Sequence, residues 1–278
     1  MNKKVISSVL AGAIALSTMG VSAFAADKTI KTAGATTYKV SATLAAPEIN
    51  VTLPGTVAAV VNPYGVSFEM KGQTYGAQGV TSPTYTIINN TTASAVSVVA
   101  TATLTVPTTG SGEAKAPTIK VTTTEGDIAT ENAKTTGAVK TIYAAVKGAA
   151  PTAAVAPDAL PGATKSDGKL VPNLILFPEN DTQNEVEGAV TVAFVDATLS
   201  TKDAPITGTP TTLMVIPKAT KVVYETDGTT VKTPAKVGYG QFQMGGSVTD
   251  TKKTPWTSAD KIAINLVLDI GPAADPTA

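Results

Sequence analysis

The chain contains no cysteine, no histidine and no arginine; all 21 of its basic residues are lysines. Each absence removes a class of chemistry. Without thiols or imidazoles there is no disulfide, no haem ligation, no imidazole- or thiolate-held metal, and no Ser-His-Asp or Cys-His nucleophile. Without guanidinium groups there is no bidentate fork for phosphate, carboxylate or guanine. Aromatic residues are scarce, with one Trp, seven Tyr and five Phe. The 21 lysines balance 21 acidic residues, so no basic field attracts nucleic acid. What the chain has instead is β-branched residues: 47 Thr and 30 Val among 278 positions.

The first 25 residues read as a secretory signal peptide. Lys3 and Lys4 form the positive start, residues 5–16 the apolar stretch, and Ala23 and Ala25 the small residues a signal peptidase inspects. The apolar run is interrupted by Ser7, Ser8, Ser17 and Thr18 and is short for a bilayer span, which favours cleavage after Ala25. The mature chain then carries a charge of about −2. It holds no later stretch apolar and long enough to cross a membrane. The expected location is secreted, extracellular or associated with the cell surface.

Beyond the signal, hydrophobic periodicity is two almost throughout. In residues 95–106, Val96, Val98, Ala100, Ala102, Leu104 and Val106 share one face, opposite Ser97, Thr101, Thr103 and Thr105. Residues 261–270 repeat the pattern, with Ile262, Ile264, Leu266, Leu268 and Ile270 on one side. Alternating runs also cover residues 48–53, 84–89, 118–123, 139–146, 189–199, 221–226 and 240–248. Thr and Val favour strands over helices, with Val largely inward and Thr outward. Gly, Pro, Asn and Asp punctuate the gaps, as at Asn62-Pro63-Tyr64-Gly65, Glu125-Gly126-Asp127 and Asp227-Gly228. The pattern predicts an all-β protein: an antiparallel β-sandwich, Ig-like or jelly-roll-like, of ten or more short strands. No amphipathic helix is expected; residues 128–134 come nearest and are short.

Residues 26–37 read as a flexible polar arm, followed by a sandwich region over residues 38–278. A Pro- and Ala-rich stretch at 147–172 forms a loop from that sandwich or a linker. The alternative organisation is two sandwiches, 38–147 and 172–278, but no internal repeat relates the halves.

Candidate chemistry is sparse. Glu179-Asn180-Asp181 is the nearest approach to a carboxylate pair and reads as a solvated turn. Ser166-Asp167-Gly168 and Thr226-Asp227-Gly228 read as β-turns, so no cofactor is expected other than a structural calcium. Trp256, just before the last alternating run, is the single candidate ligand contact, by stacking on a sugar; its competing role is to plug the core. Asn265 and Asp269 lie on the outer face of the last run, either as partners for a Lys–Asn or Lys–Asp isopeptide bond or as ordinary exposed polar residues. Leu160-Pro161-Gly162-Ala163-Thr164 departs from a sortase signal in order and in position.

The signal segment resembles those of Gram-positive bacteria. The Tyr85-Thr86-Ile87-Ile88-Asn89-Asn90 segment, and Gly246-Ser247-Val248 with Trp256 and Asp260-Lys261-Ile262, are similar to segments of secreted all-β surface proteins of such bacteria. That resemblance implies location and fold class only. The expected function is a secreted, non-enzymatic structural protein of the bacterial cell surface, a self-assembling fibre, sheath or matrix subunit. Its expected partners are copies of itself or other cell-surface proteins. The alternative is an adhesin or carbohydrate-binding β-sandwich module with glycan partners.

Overall fold

A computed structural model describes residues 49–70, 73–110, 115–161 and 188–276. The signal segment, the polar arm, Glu179-Asn180-Asp181 and Ser166-Asp167-Gly168 lie outside the described residues, as do residues 162–172 of the 147–172 stretch. Residues 49–278 make one compact unit. It is built mostly of strands arranged in several sheets, and they do not close into a barrel.

The strands in chain order are β1 (Val51–Thr52), β2 (Val60–Asn62), β3 (Phe68–Met70), β4 (Gln73–Tyr75), β5 (Gly79–Thr81), β6 (Tyr85–Asn89) and β7 (Ala95–Thr105). They continue with β8 (Thr108–Thr109), β9 (Ala116–Pro117), β10 (Lys120–Thr122), β11 (Thr141–Ala149), β12 (Val190–Ala193) and β13 (Val195–Asp196). The last five are β14 (Thr211–Ile216), β15 (Val223–Tyr224), β16 (Val231–Thr233), β17 (Gly238–Val248) and β18 (Ala263–Ala273).

The larger sheet has eight strands around the antiparallel β11–β17 pair. β17 carries β6 and then β5 along its other edge; β1 adds outside β6 and β2 outside β5. β11 carries β10, in parallel, and then β12. The second sheet is organised by β7. It pairs along its full length with β18 on one edge, and with β14 and the short parallel β13 on the other. Three two-stranded ribbons complete the set: β3–β4, β8–β9 and β15–β16.

Alternation explains how the two principal sheets share a core. The inward residues of β7 (Val98, Ala100, Ala102, Leu104) meet Ile87 of β6, Ile142, Ala144 and Val146 of β11, and Phe242 and Met244 of β17. Glycines let the backbones approach. A Cβ on Gly240 would sit 2.4 Å from Met214 Sδ, and one on Gly238 would sit 1.8 Å from the Pro217 carbonyl oxygen. At that same end the buried Asn89 donates from Nδ2 to the carbonyls of Ser94 and Pro217, tying β6 to the other sheet.

Two features depart from the sequence expectations. Residues 126–133 form a helix, α1 (Gly126–Ala133), the one α-helix among the described residues. It is too short to stand alone and is held by tertiary contacts. Ile128 is buried, and buried Glu131 accepts from Lys134 Nζ at 2.7 Å and from the Val139 amide. Asp127 sits in the first turn, where a carboxylate suits the helix dipole, and accepts from Thr122 Oγ1 at 2.6 Å. The Glu125-Gly126-Asp127 turn is therefore the opening of a helix. Second, the 147–172 stretch begins inside β11, whose pairing with β17 runs on to Ala149. Val155 then bridges to Val237.

Candidate interaction surface

β18 forms an outer edge. Among the described residues it pairs with β7 alone. Its outer face carries Ala263, Asn265, Val267 and Asp269, all exposed. Its inner face, Ile264, Leu266, Leu268 and Ile270, is only half-buried, whereas the matching residues of β7 are sealed. The sequence pattern gave both strands the same inward side; it carries no signal for how completely that side is covered.

The exposed part of that face looks into a groove of about 610 Å³. One wall is Ile262, Ile264 and Leu266; the other is Val57, Ala58, Ala59 and Val61, with Met244 also on the lining. In the second wall Val61 belongs to β2, while the irregular chain before it is held by a buried phenol. Tyr85 Oη accepts from the Ala58 amide at 2.6 Å and donates to the Ala58 carbonyl at 2.9 Å. Its ring stacks on Phe242, with centroids 5.3 Å apart. The groove is thus bounded by fixed backbone on both sides.

Asp260 also lines the groove. Its carboxylate accepts from Lys140 Nζ at 2.8 and 3.0 Å and from the Thr257 amide at 2.6 Å. Burial alone would raise its pKa, but the Lys140 and Thr257 hydrogen bonds outweigh that and hold it below the usual carboxylate value. The pair is an ion pair between two sheets, with both carboxylate oxygens engaged.

Trp256 is 5% exposed and belongs to the core cluster. Its backbone carbonyl accepts from Tyr64 Oη at 2.5 Å, and Tyr64 itself is 55% exposed. A shallow pocket of about 220 Å³ lies here, lined by Pro63, Tyr64, Trp256, Thr257 and Ser258 among others. The indole is therefore buried, while the tyrosine that bonds its backbone carbonyl is exposed. Asn265 and Asp269 face outward, and neither bonds to a lysine among the described residues. Asp227 is occupied by its own turn: it accepts from the Thr229 and Thr230 amides and from Thr230 Oγ1. Those bonds lower its pKa to about 2.

Among the described residues no group of three or more Asp or Glu is placed to hold a metal ion, and no helix is long and apolar enough to cross a membrane. No protein-family model, no curated protein and no solved structure matches the chain.

Proposed function

We propose that the protein is a secreted, non-enzymatic structural subunit of the bacterial cell surface, an antiparallel β-sandwich of Ig-like or jelly-roll-like kind that assembles with copies of itself. The observation that carries this reading is the long β18 edge, eleven residues with a half-covered apolar face opening on a groove. An edge of this length is a template for strand addition unless it is blocked by charge, proline or a covering segment. Along β18 the described blocks amount to one charge, Asp269, and one proline, Pro272 near its end. The composition agrees: low charge leaves little long-range repulsion between copies.

The test is direct. Mature protein, residues 26–278, should form filaments or sheets visible by electron microscopy and sediment as a heterogeneous high-mass species. Protein that stays monomeric at millimolar concentration would overturn the proposal.

The second reading is a glycan-binding module. It draws on the exposed Tyr64 ring, whose hydroxyl donates to the Trp256 carbonyl, beside a shallow pocket. A glycan array probed with wild type and Tyr64→Ala separates it from the first, because loss of a signal at Tyr64 would require a ligand there.

A further inference from the structure

The groove beside β18 is flanked by the alternating half-buried residues of that strand, and the chain itself contains a segment with the matching alternation. Immediately before the described unit, the sequence runs Thr37-Tyr38-Lys39-Val40-Ser41-Ala42-Thr43-Leu44, with apolar residues at every second position. We infer that residues 37–46 of a second copy add as a strand to β18 and fill the groove, an inference that rests on the self-assembly proposed above.

Register supports the pairing. In an antiparallel ladder, residues directly opposite each other share a face. Placing Leu44 opposite Ile264 sets Ala42 against Leu266, Val40 against Leu268 and Tyr38 against Ile270. The apolar residues from Tyr38 to Leu44 then all land on the half-buried face of β18. On the outer face the same register sets Thr43 against Asn265, Ser41 against Val267 and Lys39 against Asp269. The segment's one charge thus meets the one charge on β18, with opposite sign. The parallel alternative puts Lys39 beside Asn265 and leaves Asp269 beside Thr43.

Reach explains why the segment comes from another copy. The chain enters the unit at Asn50, whose amide donates to Thr91 Oγ1 and whose carbonyl accepts from Asn90. That is the end where β7 begins, and Ala95 pairs there with Ala273. Ile264 pairs with Leu104, nine residues along β7, or about 30 Å away at the rise of a strand. From Leu44 to Asn50 the chain spans at most about 20 Å. A chain's own segment falls short of this antiparallel register. A neighbour's segment, tethered by Pro47 and Glu48, does not, and the linkage repeats from copy to copy.

The experiment uses the mature chain, residues 26–278. Val40→Asp with Leu44→Asp should abolish assembly under conditions where wild type forms filaments, with Trp256 fluorescence unchanged because both substitutions lie outside the 49–278 unit. Lys39→Asp alone and Asp269→Lys alone should each raise the critical concentration several-fold, and the two together should restore it. In wild-type filaments the β18 amides that point away from β7 should exchange slowly. Assembly of the double Asp variant equal to wild type would overturn this inference while leaving self-assembly standing; a wild type that never assembles would overturn both. Protection of those β18 amides in a monomer would assign the groove to the chain's own segment, and would also overturn it.

Discussion

Lys140 Nζ lies 2.8 Å from one carboxylate oxygen of Asp260 and 3.0 Å from the other. The contact joins the residue before β11 in the larger sheet to the turn that launches β18 in the second, and 7% of the Asp260 side chain is exposed. Removing one partner strands the other in a poorly solvated place. Asp260→Ala should cost about 2–3 kcal/mol, short of a fully buried pair because Lys140 keeps some solvent contact. Urea unfolding at pH 7 measures it. Because the folded carboxyl titrates below its unfolded value, the stabilisation is full above the ordinary value of 3.8 and is lost as pH falls through the folded one. The acid-side slope of stability should therefore be shallower in Asp260→Asn.

Asp227 gives a second pH prediction, confined to the β15–β16 ribbon. Its carboxyl, held at about 2 by bonds from Thr230 and Thr229, should keep those amides downfield until the pH nears that value. The turn loses its bonds below about pH 2 rather than near 3.8. Amide chemical shifts of Thr229 and Thr230, followed from pH 5 downward, should show that midpoint. A midpoint near 4 would show that the hydroxyl and amide bonds do not form.

Close approach of the sheets at Gly238 makes a third. An alanine there would force its Cβ into the Pro217 carbonyl, so Gly238→Ala should destabilise by about 2–3 kcal/mol, the cost typical of overpacking against backbone. Gly271, whose Cβ would meet nothing within 4 Å, is the control, and Gly271→Ala should change stability by less than about 0.5 kcal/mol.

Trp256 supplies a fourth. Trp256→Ala should cost about 3–5 kcal/mol through the cavity it leaves. Trp256→Phe should cost distinctly less, because the indole Nε1–H finds no acceptor among the described residues and no hydrogen bond is lost. As the only tryptophan, it should emit at short wavelength when folded and shift red on unfolding, giving the optical probe for all these measurements.

Several strands were legible in the sequence: β6, β7, β11, β17 and β18 overlap the alternating runs at residues 84–89, 95–106, 139–146, 240–248 and 261–270. β14 gave no such signal. Its pairing with β7 shifts register between Thr212 and Met214, so Leu213 and Met214 are both buried in succession and the period of two is broken. β2 to β5 are three residues each, too short to show a period. The groove was illegible for a different reason. Alternation says that Ile264 and Leu266 point inward, but only the tertiary arrangement shows that Val57 and Ala58 stop short of covering them.

The pairing of β7 with β18 has a consequence in time rather than space. Leu104 meets Ile264, a partner roughly 160 residues downstream. The second sheet cannot close until β18 has been made, because the loop entropy of that pairing must be met before its contacts form. A polypeptide with this topology stays unfinished for most of its emergence. Its order of strands delays folding of that sheet until β18 arrives.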